Sequence, residues 1–138
     1  VPLAYCIAAD RYYMHDHVGQ VYQMCVARKY RRLHIGANLL AKVWATWPRG
    51  VKLCGCWCAQ DLEEANSYWE QCGFTAVAFR AASRNRRVKG KSASCTSGGG
   101  VHIYWQRPIR GADYAQLREG HFRGWWMPYE TRGGLMGE

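Results

Sequence analysis

Residues 19–58 place the strongest constraint on the fold. "GQVYQMCVA" (19–27) is rich in β-branched and apolar side chains, as a buried central strand is. A basic cluster follows it. Beyond the cluster, Ile35, Leu39, Leu40, Val43, Trp44 and Trp47 recur at helical spacing on one apolar face, until Pro48 and Gly50 stop the helix. "VKLCGCWC" (51–58) then alternates as a strand, with Cys54, Cys56 and Cys58 on one face and Leu53, Gly55 and Trp57 on the other. Strand, helix, strand is a crossover unit, which closes right-handed when its strands are parallel and gives an α/β architecture.

The rest of the chain extends this frame. Asp61 is a good N-cap and Glu64, three residues on, completes a capping box for a helix over 62–71. Gly73 suits the left-handed residue that ends such a helix. "FTAVAFR" (74–80) is a strand, and "VHIYWQ" (101–106) is a last strand antiparallel to it. Residues 81–100 are basic, Ser/Gly-rich and end in three glycines, which predicts a mobile loop. "PLAYCIAADRYYMH" fits either a short helix entered through Pro2 or a strand and its turn; the helix is preferred. The tail carries Trp125, Trp126 and Pro128 among glycines and reads as irregular but packed.

Charge points to an anionic partner. The 138 residues carry 19 Lys and Arg against 10 Asp and Glu, a net charge of +9. Arg28, Lys29, Arg31 and Arg32 form one cluster; Arg80, Arg84, Arg86, Arg87, Lys89 and Lys91 form another, suited to a nucleic acid or an acidic partner across 80–91. No run is long and apolar enough to span a membrane, and no secretory pattern opens the chain, which begins at Val1 rather than Met. The seven cysteines then read as reduced thiols in a cytoplasmic protein. Cys54, Cys56 and Cys58, with His15 and His17, suggest a metal at first. One-residue gaps on a strand splay the ligands, however, and no metal site is expected.

The first helix opens unusually. Its early N–H groups lack intrahelical partners and carry part of the helix macrodipole's positive end. Ser, Thr, Asp or Asn ordinarily supplies an acceptor, but Arg31, Arg32, Leu33 and His34 stand there instead. Bare amides beside guanidinium groups make a phosphate site, and Gly36 lets a ligand approach the backbone. A solvated basic turn is the competing reading, and residue types alone leave the two equal.

"VARKYRRLHIGANLL" (26–40) resembles the acyl-CoA signature of the GNAT N-acetyltransferases, Arg/Gln-x-x-Gly-x-Gly/Ala at a strand-to-helix junction. Arg31, Ile35 and Gly36 fall on it, while His34 replaces the first Gly. "ANSYWEQCGF" (65–74) is similar to the family's Ala-x-x-aromatic-Tyr-Glu-x-x-Gly-Phe through Ala65, Tyr68, Glu70, Gly73 and Phe74. The resemblance implies an α/β fold of GNAT type, with a mixed central sheet flanked by helices and a shortened N-terminal part. It divides one domain into a short segment (1–18), an acetyl-CoA-binding core (19–80), the basic loop (81–100) and a closing strand with aromatic tail (101–138).

The resemblance also implies a reaction. Strands matching 19–27 and 51–58 splay, and the pantetheine arm of acetyl-CoA bonds the backbone near Met24, Cys25 and Val26. The amides of Arg32, Leu33, His34, Ile35, Gly36 and Ala37, beside Arg31, hold the pyrophosphate. An amine acceptor then attacks the thioester directly. Trp69 stands where the family's acid Tyr would be, leaving Tyr68 next to it as the substitute. The family's Asn falls on Leu62, so Asn66, one turn later, is the candidate for the pantetheine, with Trp69 beside it. Gln20 and Gln23 occupy the strand that carries a Glu base in many relatives, so an ordered water or Cys58 is left for proton removal. The family places more chain ahead of 19–27 than this sequence has; an open sheet edge there invites pairing with another copy. A GNAT-fold binding or assembly protein without turnover, engaging nucleic acid or protein through the basic loop, is the alternative.

Overall fold

A computed structural model describes residues 3–12, 15–81, 100–115 and 124–127. Two compact units are apparent: Val1–Gly55 with Pro108–Ala115, and Cys56–Arg107 with Gln116–Glu138. The two units alternate along the chain, each built from two segments. Hydrogen bonds order the strands β1-β2-β3-β5-β4-β6 in one mixed sheet, to which two helices are added, and β3 crosses from one unit to the other. The α/β architecture read from the sequence is present.

In the first unit, β1 (Ala4–Ala9) runs antiparallel to β2 (Val18–Val26), from Ala4 opposite Val26 to Ala9 opposite Gln20, with an irregularity between Ile7 and Ala8. The helix expected over the opening residues is thus a strand. Leu3, Tyr5 and Ile7 are exposed and alternate with the better covered Ala4, Cys6 and Ala8, a period of two that pairing with β2 fixes. β2 is buried over Val18–Val21 and opens to solvent beyond, so it is a buried strand for half its length.

Helix α1 (Ile35–Thr46) follows β2 and leads to β3 (Leu53–Ala59), whose Leu53–Gly55 pair in parallel with Val18–Gln20. Leu40 and Trp47 are buried, and Ile35, Leu39, Val43 and Trp44 half-buried, as the helical spacing requires. Gly19 is fixed by packing: a Cβ there would run into the Trp47 ring. The far end of α1 is closed by Arg110. Its Nη1 donates to the carbonyls of Pro48 (2.6 Å) and Val51 (2.8 Å), and its Nη2 to those of Trp44 (2.9 Å) and Trp47 (3.1 Å). A cation at a helix C-terminus also matches the macrodipole.

In the second unit, α2 (Glu63–Gln71) begins one residue later than expected, with Leu62 at the cap position and no side-chain cap bond. Leu62 takes the cap position expected of Asp61, and a buried side chain anchors the turn. Asn66, fully buried, donates from Nδ2 to the carbonyls of Ala59 (2.9 Å), Gln60 (3.3 Å) and Leu62 (2.9 Å). One side chain inside the helix thereby ties down the turn that precedes it. Gly73 ends the helix at φ +88°, the left-handed conformation expected of it.

β4 (Thr75–Ala81) and β5 (Val101–Pro108) pair antiparallel, Thr75 opposite Gln106 and Ala81 opposite Val101. A further short strand, β6 (Trp125–Trp126), pairs with β4 through Phe79 and Ala78, so β5 is not the last strand. Ala76, Val77, Ala78, Ile103, Tyr104 and Trp105 are wholly buried. The loop expected to be mobile, with the cluster Arg84–Lys91, lies outside the described residues except at its two ends.

Candidate functional site

The junction of β2 and α1 concentrates the polar backbone of the first unit. Pairing between β2 and β3 runs to Gln20 and Gly55, and β2 continues six residues further, to Val26. Met24 and Val26 are half-buried there and Cys25 is exposed. Ala27 donates to the Leu3 carbonyl (2.8 Å), and a tight turn over Arg28–Tyr30 reverses the chain. Arg31 then reaches back, its Nε donating to the Val26 carbonyl at 2.9 Å. The guanidinium is thus held beside the strand end.

Two left-handed residues shape the turn into the helix, Arg32 at φ +68° and His34 at φ +61°. His34 is the N-cap residue and makes no side-chain cap bond, while its carbonyl accepts from the Asn38 amide at 3.0 Å. The first turn, Ile35, Gly36 and Ala37, contains no acid. Arg31, Arg32, Leu33 and His34 are all exposed. The result is a helix N-terminus entered through exposed residues, with Gly36 itself buried and guanidinium groups beside it, an arrangement suited to an oxyanion. The left-handed φ also explains the sequence: a glycine would sit at position 34 without cost, whereas His adopts that conformation at a penalty of about 1 kcal/mol.

Gln20, the last β2 residue paired with β3, is 2% exposed, and its Oε1 has no hydrogen-bond partner among the described residues. Gln23 is exposed. These two residues of one strand therefore meet different surroundings, a distinction their sequence spacing did not show.

The second unit revises the reading of α2. Trp69 is 8% exposed and packs edge-on against Phe74, ring centroids 5.0 Å apart. Tyr68 is half-buried and its hydroxyl hydrogen-bonds the Cys72 thiol. Tyr68 is thus the more open of the two and Trp69 the buried one. Trp69 lies three residues after buried Asn66 and shares its inward face, which rotates Tyr68 outward. Asn66 Oδ1 accepts from Trp105 Nε1 at 2.8 Å, so its whole amide is used inside the fold. That removes the ground for giving Asn66 a pantetheine contact. Burial raises the Cys72 thiol pKa, opposed in part by the Tyr68 hydrogen bond and the Arg107 charge. Cys58 is buried.

Arg107 and Arg110 escaped the sequence reading. Both cap carbonyls, Arg107 Nη1 donating to Cys72 at 2.9 Å. The signal was present as a charge imbalance: no Asp or Glu occurs between Glu70 and Asp113.

Comparison with known proteins follows from this geometry. The family model for the acetyltransferase (GNAT) domain matches residues 3–76, more than half of the chain. A search of curated proteins finds no match. Among solved structures, the ribosomal-protein-S18-alanine N-acetyltransferase from Escherichia coli is 20% identical with a TM-score of 0.55, over 84% of this chain and 67% of that one. A GNAT family acetyltransferase from Elizabethkingia anophelis, with acetyl-CoA bound, gives 14% and 0.54 over 67% and 61%. An acetyltransferase of the GNAT family from Streptococcus pneumoniae gives 14% and 0.53 over 77% and 58%. The chain spans about three-fifths of the length of such structures. At these identities the structures speak for the fold, and the family model speaks for descent: the chain belongs to the GNAT acetyltransferase family.

Proposed function

We propose that this protein binds acetyl-CoA at the β2–α1 junction and transfers the acetyl group to an amine. The observation that carries the reading is the N-terminus of α1, entered through exposed, left-handed His34, without side-chain cap or acid, beside Arg31 and Arg32. The amides of Ile35, Gly36 and Ala37 and the two guanidinium groups take the pyrophosphate charge. The backbone of Met24, Cys25 and Val26 bonds the pantetheine arm as an added strand would. The amine attacks the thioester carbonyl directly, the thiolate of CoA leaves, and the ammonium proton passes to water. The acetyl-CoA bound in the Elizabethkingia structure supports the donor.

A second reading, a GNAT-fold binding protein without turnover, is favoured by buried Trp69 in the family's Tyr position. Calorimetric titration with acetyl-CoA, beside the double variant Arg31→Glu, Gly36→Glu, separates the outcomes. Saturable binding by the parent and its loss in a folded variant is expected. A folded parent that does not bind sinks the donor site. Binding without release of free CoA thiol across an amine panel leaves the second reading.

A further inference from the structure

Gln20 holds a hydrogen-bond acceptor inside the first unit. The residue is 2% exposed, and among the described residues its Oε1 has no hydrogen-bond partner. A buried amide oxygen left in that state destabilises the fold, and proteins satisfy nearly all such groups. Gln23, three residues on, is exposed and meets water instead.

The neighbours of Gln20 in the sheet are small. Ala9 of β1 and Gly55 of β3 pair with it, and paired residues project from the same face. Gly19, next in the chain, faces the Trp47 ring, so Gln20 projects from the opposite face of β2. Its amide thus stands between a methyl group and a bare backbone, at the last pair that joins β2 to β3. Gln20, Ala9 and Gly55 all belong to the first unit.

One strand relates this amide to the proposed donor site, on which the inference rests. Val26, whose carbonyl Arg31 holds, lies six residues along β2 from Gln20. At the rise of an extended strand that is about 20 Å. An extended pantetheine arm with its acyl group is of that length. Laid along β2 from a pyrophosphate at the start of α1, it ends with its thioester beside Gln20. The thioester carbonyl and sulfur are acceptors and cannot satisfy Oε1, whereas an amine N–H can.

We infer that Gln20 Oε1 accepts a hydrogen bond from the amine of the acceptor, so that the substrates are primary amines. As the nitrogen attacks, the N–C bond forms, the C–S bond breaks and CoA leaves as thiolate. A neutral primary amine has two N–H bonds. One proton passes from the nitrogen to water; the other stays on it, in the product amide, and remains bonded to Gln20. A secondary amine has one N–H and yields an amide with none, so it gives up this bond during transfer. Gln20 is neutral and takes no proton. It is a binding residue that turns the nitrogen lone pair toward the acyl carbon.

The test uses a matched pair, benzylamine and N-methylbenzylamine, each with acetyl-CoA. The parent is expected to favour the primary amine by roughly tenfold in kcat/KM. Gln20→Met keeps the length of the side chain, removes the acceptor and abolishes that preference, chiefly by raising KM for benzylamine. Gln20→Glu keeps an acceptor oxygen and retains it. Equal use of the two amines by the parent, or a preference that survives in folded Gln20→Met, overturns the inference while acetyl transfer stands. The melting temperature of Gln20→Met should match or exceed that of the parent; a marked fall means that Oε1 is satisfied inside the fold and also overturns it. Where neither amine is turned over, calorimetric binding of the two in the presence of CoA decides. Tighter binding of benzylamine that depends on Gln20 supports the inference, and its absence overturns it. Titration of Gln20→Met with acetyl-CoA alone reports on the donor site separately, and its affinity should equal that of the parent.

Discussion

Trp105 Nε1 donates to Asn66 Oδ1 at 2.8 Å, joining β5 to α2 through two wholly buried side chains. The same amide holds three carbonyls at the start of α2, so this pair fixes both the helix and its approach to the strands.

Asn66→Ala would strand the Trp105 indole N–H and the Ala59 carbonyl in the core. A loss of about 3 kcal/mol is expected, since each buried group left unsatisfied costs about 1–3 kcal/mol. Urea denaturation checks the stability, and calorimetry on the folded fraction checks function. Because Asn66 is used within the fold, acetyl-CoA affinity should hold; a variant of parental stability that had lost affinity would return Asn66 to the site.

His34→Gly should stabilise the protein by about 1 kcal/mol, because the left-handed backbone at φ +61° suits glycine. His34→Val, β-branched, should lose stability by at least as much. Acetyl-CoA binding should survive the glycine replacement, since the proposed contacts at this position are backbone amides. Thermal melts and titration of the two variants give the answer, and a lower melting temperature for His34→Gly would contradict the strain.

Arg110→Ala removes a donor from four carbonyls at the end of α1, of which those of Trp44 and Pro48 keep the amides of Trp47 and Val51. A cost of about 2 kcal/mol is expected, because hydrogen bonds to a charged group are the stronger kind but these carbonyls regain water. Arg110→Lys should recover less than half, lacking the planar fork. Hydrogen exchange at Val43–Thr46 should accelerate in the alanine variant; unchanged exchange there would deny Arg110 its capping role.

Thiol chemistry should follow burial. Cys25, exposed, should react first with a disulfide reagent; Cys6 and Cys72, whose pKa values burial raises above the ordinary 9.0, should be slower at neutral pH and gain on Cys25 as pH rises. The sign for stability follows: the folded state holds these two protons more tightly than the unfolded chain. Their contribution is complete below pH 9.0 and lost as pH climbs through the raised folded values. Denaturation midpoints at successive alkaline pH values, compared with a Cys6→Ala, Cys72→Ala variant, isolate it.

The frame from Val18 to Gln71 was legible because its signals are local: an apolar run, a helical stripe ended by Pro48 and Gly50, an alternating strand, a glycine after a helix. The strand Ala4–Ala9 was not, since six apolar residues satisfy either period until β2 supplies the partner. The α1 N-terminus could be read from what it lacks. Its left-handed turn could not, because His34 is there in place of the glycine that would have announced it. The burial of Asn66 and Trp69 was hidden for a related reason. Motif position assigned them to a ligand, while the rotation of α2 turns them both inward, and rotation depends on contacts such as Trp105 that lie far along the chain.

The two segments of the first unit are separated in the chain by residues 56–107, and Arg110 belongs to the later one. On the ribosome, α1 therefore emerges long before the side chain that closes it. A nascent chain halted after Gly55 carries the complete β2–α1 junction with the carbonyls of Trp44, Trp47, Pro48 and Val51 lacking the guanidinium that later joins them. The order of synthesis makes closing the first unit a late event, and a chaperone would meet this helix with its end still open.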